Sequence, residues 1–245
     1  MSDLHLYLME LVATAIFMVL GLGCCANIFL RKSGMFNSGG VVAAMGWGTA
    51  MVSVASIFAP ISGAHCNPAV TIGFWLAGFF DGKLVIGYIV FQCIGAFIGA
   101  FIVYMLFKDH LDAEEDVPSK LYVFATAPSI KNNIKNCMSE AVATFTLMLI
   151  LLSLSHFNPA NGVAMFFVFC GVAGGVMSFG GLTGYAINPA RDFMPRLIHY
   201  LLPIKDKGTS NFSYCWIPII GPILGAAFAA LLYDILFLDF LQVFK

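Results

Sequence analysis

The chain has 245 residues, of which 60% are hydrophobic and only 10% are charged, and its formal net charge is −1. Soluble globular domains carry about 25% charged residues, so this composition excludes a water-soluble fold. The lack of excess positive charge also excludes a nucleic-acid partner. Together with a mean hydropathy of +0.90, the composition indicates a polytopic membrane protein whose first partner is the lipid bilayer.

Six apolar segments are each long enough to cross the hydrocarbon core as a helix, which takes about 20 residues. These predicted spans are residues 6–30, 40–60, 84–107, 137–156, 163–179 and 214–240. The first span lacks the basic n-region of a signal peptide and is too long for one, so we expect it to be retained. Two further apolar segments, residues 68–78 and 189–202, are shorter and reach only about halfway across.

A polar segment at residues 108–136 separates two similar halves of the chain. Its first part is acidic, which predicts a solvated loop; the acidic residues are Asp109, Asp112, Glu114, Glu115 and Asp116. Each half has the order span, span, half-span, span, and three full crossings place the second half upside down relative to the first. The sequence therefore predicts one domain over residues 1–245, with repeat one at 4–107 and repeat two at 137–241.

Short sequence matches support this division into repeats. Glu10-Leu11-Val12-Ala13-Thr14 opens the first span, and Glu140-Ala141-Val142-Ala143-Thr144 opens the fourth. The corresponding Gly-x-x-x-Gly pairs are Gly95 and Gly99 in the third span and Gly221 and Gly225 in the sixth. Such pairs let helices pack with their backbones close together, and a chance occurrence in apolar helices is the alternative.

Both half-spans begin with the same triplet, Asn67-Pro68-Ala69 in repeat one and Asn188-Pro189-Ala190 in repeat two. Asparagine is a favoured helix N-cap, and proline is tolerated at the first helical position, where its missing N–H costs nothing. A Ser-Gly or Thr-Gly pair stands at the same distance before each triplet. A third triplet, Asn158-Pro159-Ala160, lacks this glycine, so we interpret it as an ordinary turn between two helices.

The two motifs, each beside its own spans, resemble the aquaporin superfamily, also called the major intrinsic proteins. Asp192 directly after Arg191, together with Arg196 and Pro218, resembles the aquaglyceroporin or glycerol facilitator branch. The resemblance implies an all-α polytopic membrane protein with six transmembrane helices and two re-entrant half-helices, arranged as an inverted repeat in a right-handed bundle. It also implies a homotetramer and no cofactor.

In that architecture the two half-helices enter from opposite faces and their N-termini meet, each carrying about +0.5 charge from the helix dipole. Asn67 and Asn188 would then donate amide N–H groups to a passing hydroxyl, whereas a cation meets only donors and a positive field. Irregular backbone is tolerated at membrane depth where it lines a cavity. The residues predicted to present carbonyl groups to the pore are Gly63, Ala64, His65, Cys66, Gly184, Ala186 and Ile187.

The resemblance places an outer selectivity filter at Trp47, Val176, Tyr185 and Arg191. An arginine in an apolar half-helix is costly and points by default to function, with an arginine that reaches the interface as the alternative. For Trp47 alone, a residue of the interfacial aromatic belt is an equal alternative. The position of Val176 depends on an alignment without a gap.

Two mirrored carboxylates, Glu10 and Glu140, lie inside predicted spans. We expect each to accept hydrogen bonds from backbone N–H groups of the irregular loop in its own half, with a role in proton coupling as the alternative. Asp192 is expected to support the second motif. His65 is expected to brace its loop, and no metal site is predicted, because no other set of ligands repeats at a suitable spacing.

The sequence predicts a passive channel for glycerol and other small neutral solutes, namely water, urea, hydrogen peroxide and protonated lactic acid, that excludes ions and protons. A proton- or ion-coupled secondary transporter is the alternative, since inverted repeats occur there too. An enzyme is not expected, because the spans contain no nucleophile and base pair.

The expected location is the plasma membrane, with both termini cytoplasmic. That topology leaves Lys83 and Lys245 inside, while the positive-inside rule favours the reverse orientation. The basic residues that would lie outside are Arg31, Lys32, Lys108, Lys120, Lys131, Lys135, Lys205 and Lys207.

Overall fold

A computed structural model describes residues 2–239 of the chain. Its α-helices in that range are α1 Asp3–Phe29, α2 Gly39–Ser62, α3 Pro68–Leu76, α4 Val85–Ala113, α5 Val117–Phe124, α6 Asn133–Phe157, α7 Asn161–Thr183, α8 Pro189–Leu201 and α9 Ile217–Tyr233. A 3₁₀ turn, Gly82–Leu84, precedes α4, and a π-helical segment, Asp234–Asp239, follows α9. Six of the helices are long and apolar enough to cross a membrane, which confirms the predicted fold class.

The helix bounds depart from the predicted spans mainly in the acidic segment. Helix α4 continues to Ala113, past the expected end at residue 107. Helix α5 then begins where the Asp116 side chain accepts a hydrogen bond from the N–H of Ser119, and it buries Leu121 and Phe124. The expectation of a solvated loop throughout residues 108–136 is therefore corrected, because Asp116 caps a helix whose apolar face is covered. The predicted end of the sixth span, Phe240, lies outside the described residues.

Glycines hold two pairs of long helices close together. Helix α1 packs along α4, and α6 packs along α9. A Cβ atom built at Gly95 would lie less than 3.0 Å from the carbonyl oxygen of Leu11, and one built at Gly225 would lie equally close to that of Ala141. The close backbone approach predicted for the Gly-x-x-x-Gly pairs is confirmed, since any larger residue would force these helices apart.

The two halves of the chain are interleaved rather than placed side by side. The half-helix α3 packs against α9 of the other half, and α8 packs against α4. Helices α2 and α7 also pack against each other across the halves. Each half-helix is thus held in place by the last long helix of the opposite half, as an inverted repeat requires.

The beginning of α1 and the end of α9 lie on one face of the bundle, here called the N-terminal face. The ring of Tyr7 lies 6.1 Å from that of Tyr88, which in turn lies 4.6 Å from the ring of Phe80. The ring centre of the preceding residue, Phe79, lies 6.0 Å from that of Tyr233 at the end of α9. The connection between α1 and α2 lies on the opposite face, beside the end of α4 and the start of α5.

A candidate pore between two cavities

The segment before each Asn-Pro-Ala triplet follows the same unusual backbone path. Its positive φ angles are +86°, +47° and +49° at Gly63, Ala64 and Cys66, and +88°, +54° and +46° at Gly184, Tyr185 and Ile187. Residues other than glycine adopt such angles at a cost, and they persist when the surroundings hold the backbone firmly. Because corresponding positions of both repeats carry the strain, the two segments, here called the entry loops, are built alike.

Glu10 holds the first entry loop from within α1. Its carboxylate accepts hydrogen bonds from the N–H groups of His65 at 3.0 Å and Cys66 at 2.8 Å. It also accepts from the Ser62 hydroxyl at 2.8 Å and the Gln92 amide at 2.8 Å. The carboxylate is fully buried, and these donors offset the large cost of removing it from water.

Glu140 has the same position relative to the second entry loop. Its carboxylate accepts from the N–H groups of Ala186 at 3.1 Å and Ile187 at 2.7 Å, and it is also fully buried. Each mirrored glutamate therefore supplies the acceptor that a bent backbone needs at membrane depth, where water is not available.

The side-chain oxygens of the two motif asparagines cap their half-helices. Oδ1 of Asn67 accepts from the N–H of Ala69 at 2.9 Å. Oδ1 of Asn188 accepts from the N–H groups of Ala190 and Arg191, both at 3.1 Å. This capping fixes which edge of each amide faces its own helix, so the NH₂ group faces away from it.

The NH₂ groups of the same asparagines join the two halves. Nδ2 of Asn67 donates to the carbonyl oxygen of Ile187 at 2.9 Å, and Nδ2 of Asn188 donates to that of Cys66 at 2.8 Å. An amide carries two N–H bonds, and one of them is used in each case. Among the described residues 2–239, the second N–H of each asparagine has no acceptor.

Two cavities of about 730 and 970 Å³ lie on opposite sides of this region. The cavity of about 730 Å³, here called the inner cavity, opens near the N-terminal face. It is lined by Asn67, Asn188 and the residues around the turn at Asn158. The cavity of about 970 Å³, here called the outer cavity, is lined by Thr126, by the first residues of α2 and by the last turns of α7. Among the described residues, Trp47 and Arg191 alone line both cavities, so the two cavities adjoin at these side chains.

Arg191 and Trp47 are in direct contact at this meeting point. The guanidinium carbon lies 4.2 Å from the centre of the indole ring, which is a cation–π geometry. Phe17 of α1 packs in a T-shaped arrangement with the indole, with ring centres 5.2 Å apart. The meeting point therefore has one cationic, donating side and one apolar side.

The other two residues of the predicted filter lie on either side of this contact. Tyr185 lines the inner cavity, and its hydroxyl is turned away into α7, where it donates to the carbonyl oxygen of Gly171 at 3.3 Å. Val176 lines the outer cavity. Of the predicted filter residues, the structure brings Trp47 and Arg191 into contact and places Tyr185 and Val176 beside different cavities.

Most residues predicted to present carbonyl groups line the inner cavity, and Gly184 lines the outer one. The residues on the inner side are Gly63, Ala64, His65, Cys66, Ala186 and Ile187. The carbonyl oxygens of Cys66 and Ile187 already accept from the opposite asparagines. A carbonyl oxygen has two lone pairs, so each keeps capacity for a second donor.

Asp192 in the first turn of α8 and Arg196 one turn later tie this half-helix to the connections around it. Asp192 accepts from the N–H and hydroxyl of Thr126 at 2.8 and 2.7 Å and pairs with Arg196 at 2.6 Å. Arg196 in turn donates to the carbonyl oxygens of Thr126 and Ser210. Both charges are fully buried, and the donors and acceptors that surround them satisfy the pair.

Two supporting residues of this site were not predicted from the sequence. The amide of Gln92 in α4 donates both to Glu10 and to the Thr71 hydroxyl, which also lies 3.1 Å from Nδ1 of His65. A lone polar residue within the apolar third span was the available signal for Gln92. Thr126 gave no such signal, because its partner Asp192 is distant in sequence.

An ion pair joins two connections on the face opposite the N-terminal face, and this region around Arg31 and Glu114 is here called the outer rim. Glu114 accepts from the N–H of Arg31 at 2.6 Å, Glu115 at 3.0 Å and Asp116 at 2.8 Å, and it pairs with the Arg31 side chain. Burial by itself would raise the pKa of Glu114, but these donors outweigh it and hold the pKa below the ordinary value of 4.5. The carboxylate thereby ties the connection after α1 to the end of α4.

Comparison with known proteins agrees with this geometry. The family model described as major intrinsic protein matches residues 1–233. The chain belongs to the major intrinsic protein family. Members of this family are passive channels and facilitators, so this major intrinsic protein is a membrane channel and not an enzyme.

Relatives of this major intrinsic protein cover most of its length. An uncharacterized aquaporin-like protein of Haemophilus influenzae is 62% identical over 78% of this chain and 90% of its own. The glycerol uptake facilitator protein of Bacillus subtilis is 44% identical over 93% of this chain and 83% of its own. The X-ray structure of the aquaglyceroporin from Plasmodium falciparum superposes with a TM-score of 0.87 and 27% identity, covering 99% of this chain and all of the other.

Proposed function

We propose that this major intrinsic protein is a passive channel for glycerol. The observation that carries the proposal is the contact of Arg191 with Trp47 where the two cavities meet. A solute that crosses from one cavity to the other passes a guanidinium donor and an aromatic face. Glycerol has hydroxyl groups along one edge and C–H groups along the other, so it can hydrogen-bond on the polar side and pack on the apolar side.

The midpoint of the pathway supports exclusion of cations and protons. The N-termini of α3 and α8 meet there and contribute positive potential, and Asn67 and Asn188 each offer one N–H. A solute oxygen can accept these donors, whereas a cation would lose its hydration without gaining an acceptor. The same chemistry suits water, urea, hydrogen peroxide and protonated lactic acid, which we include as solutes of the proposed channel.

The relatives support the choice of solute. Proteins from Bacillus subtilis and Streptococcus pneumoniae that are 44% and 41% identical are named glycerol uptake facilitators. The alternative is a proton- or ion-coupled carrier, which would need a carboxylate free to bind and release a proton or a cation. The buried glutamates Glu10 and Glu140 instead bind backbone N–H groups, and this fixed structural task favours the channel.

We further propose a homotetramer in the plasma membrane, with both termini cytoplasmic and with repeats at residues 4–107 and 137–241 around the connection 108–136. An exposed apolar stripe along α1, with Leu8, Val12 and Ile16, supports contact with lipid or with another copy. Labelling of Ser2→Cys and Lys245→Cys, each in a variant without its other cysteines, by an impermeant thiol reagent tests the topology. Labelling from opposite sides of the membrane contradicts it.

The function is tested with the purified protein in liposomes. Shrinking and re-swelling are followed by light scattering after addition of glycerol, urea or sorbitol, and a pH-sensitive dye inside the vesicles follows protons. We expect fast re-swelling in glycerol, little in sorbitol because its longer chain does not fit the amphipathic passage, and no proton flux. Equal rates for glycerol and sorbitol, or rates equal to those of empty liposomes, contradict the proposal.

A further inference from the structure

We infer that Gly21 in α1 and Gly175 in α7 are positioning residues for solute selection, because they make room for the aromatic rings of Trp47 and Tyr185. The inference rests on the proposed glycerol function. Neither glycine lines either cavity, so each would act on the solute only through the ring it accommodates. Their roles follow from what a side chain at either position would meet.

At Gly21 the neighbour is the indole of Trp47. A Cβ built at Gly21 would lie less than 3.0 Å from three carbons of the six-membered ring. The backbone of α1 therefore forms one wall behind Trp47, and Phe17 one helical turn earlier packs edge-on against the same ring. A methyl group at residue 21 would push the indole away from α1 and so disturb its contact with Arg191 where the cavities adjoin.

At Gly175 the neighbour is the phenol of Tyr185. A Cβ built there would lie less than 3.0 Å from the hydroxyl oxygen and from two ring carbons. The same hydroxyl donates to the carbonyl oxygen of Gly171, one turn earlier in α7, and Phe179 lies nearly parallel to the ring at 6.3 Å. Because Gly175 has no side chain, the hydroxyl of Tyr185 can approach the backbone of α7 closely.

The consequence concerns the polarity and the width of the passage. With its hydroxyl held in α7, Tyr185 lines the inner cavity as an apolar ring rather than as a donor. A methyl group at residue 175 would displace this ring from α7 toward the inner cavity. Gly21 and Gly175 therefore allow both rings to pack closely against the helices. The passage is then wide enough for a three-carbon polyol, whereas water is smaller and needs less width.

Each glycine has a matched control on its own helix. A Cβ at Gly23 in α1 or at Gly174 in α7 would meet nothing within 4 Å. Gly21→Ala and Gly23→Ala therefore make the same chemical change in the same helix with and without a ring behind it. Gly175→Ala and Gly174→Ala form the second pair, so a general effect of alanine on the helix cancels in each comparison.

The experiment measures glycerol and water permeability of the four variants in liposomes, normalised to the protein incorporated. One methyl group in a tight site changes selection on the order of tenfold or more. We expect Gly21→Ala and Gly175→Ala to lower the ratio of glycerol to water permeability by about that factor, and Gly23→Ala and Gly174→Ala to leave it unchanged. A ratio in Gly21→Ala and Gly175→Ala equal to that of their controls overturns the inference.

A rescue separates positioning from damage to the fold. The double variants Gly21→Ala with Trp47→Phe and Gly175→Ala with Tyr185→Leu replace the crowded ring by a smaller side chain. We expect each to regain glycerol permeability relative to its single glycine variant or, where that variant does not fold, to regain a folded protein. Absence of any recovery in both double variants overturns the inference.

The outcome for the wild-type protein distinguishes this inference from the proposed function. Wild-type protein that passes water but no glycerol contradicts the function. The inference is then decided by water permeability. Gly21→Ala must have lower water permeability than Gly23→Ala, and Gly175→Ala must have lower water permeability than Gly174→Ala. Equal water permeability within both pairs overturns it in that case.

Discussion

Arg191 places a permanent positive charge at the point where the two cavities meet, and its burial is balanced by the face of Trp47. Arg191→Ala removes that charge and widens the meeting point. We expect a proton or cation current where the wild-type protein gives none, together with reduced preference for glycerol over sorbitol. Lys32→Ala, which removes an exposed charge from the outer connection, is the control and should leave both properties unchanged.

Asn188 supplies a donor to Cys66 and to the proposed solute position. Asn188→Asp replaces that donor by a negative charge next to the carbonyl oxygen of Cys66, in a buried site. We expect cation entry in vesicle flux assays, or loss of the folded protein. A folded variant that conducts glycerol normally and still excludes every ion would falsify the electrostatic account.

The third Asn-Pro-Ala triplet provides the control for that substitution. Asn158 lies at the C-terminus of α6 with φ +44°, a conformation that asparagine and aspartate both tolerate. Its side chain lies at the inner mouth and does not cap a half-helix. Asn158→Asp should therefore leave ion exclusion intact.

Glu114 makes the outer rim sensitive to pH. Because its folded-state pKa lies below the ordinary value of 4.5, the carboxylate stabilises the fold at pH values above its unfolded-state pKa, and this contribution is lost as pH falls through the folded-state pKa. We expect Glu114→Gln to lower the thermal midpoint in detergent at pH 7, and the difference from wild type to shrink below pH 4.5. Glu115→Gln, at a side chain that is 87% exposed, should show no such difference.

Pairs of long helices approach each other so closely at glycines that no side chain fits between their backbones. A Cβ at Gly225 would lie less than 3.0 Å from the carbonyl oxygen of Ala141, so Gly225→Val must separate α6 from α9. We expect a loss of stability of about 1–3 kcal/mol, the usual cost of overpacking, measured as a lower thermal midpoint. Gly181→Val in α7, where a Cβ meets nothing within 4 Å, should change the midpoint much less.

The elements themselves were largely predictable from the sequence. Hydropathy and length gave the six long helices, and the Asn-Pro caps gave the starts of α3 and α8 at Pro68 and Pro189, as observed. Helix α5 was missed because it has 8 residues and no long apolar run, so its signals were only the capping Asp116 and Pro118. The apolar face of such a short helix becomes meaningful only when the rest of the fold covers it.

The candidate site was predictable in its residues but not in its contacts. Trp47 and Arg191 were selected by resemblance, whereas their separation of 4.2 Å depends on how α2 and α8 are placed in space. The hydrogen bond from Asn67 to Ile187 joins residues 120 positions apart, and no local pattern indicates it. The direction of the Tyr185 hydroxyl likewise depends on a contact distant in sequence, the carbonyl oxygen of Gly171 in α7.

For the whole molecule, the crossed hydrogen bonds mean that neither half contains a complete site. Asn67 of the first half needs Ile187 of the second, and Asn188 needs Cys66. The half-helices follow the same rule, since each packs on a long helix of the other half. The positive field at the midpoint and the passage beside Trp47 and Arg191 therefore arise only when both halves are folded together.

We propose that glycerol crosses this molecule passively through that passage. The most direct measurement is the initial rate of radiolabelled glycerol entry into liposomes over a wide range of glycerol concentrations, with and without an imposed proton gradient. Passive diffusion through the channel predicts a rate that rises in proportion to concentration, does not respond to the gradient and is not accompanied by proton entry. Saturation with gradient-driven accumulation, or rapid water flux with no glycerol entry, would contradict it.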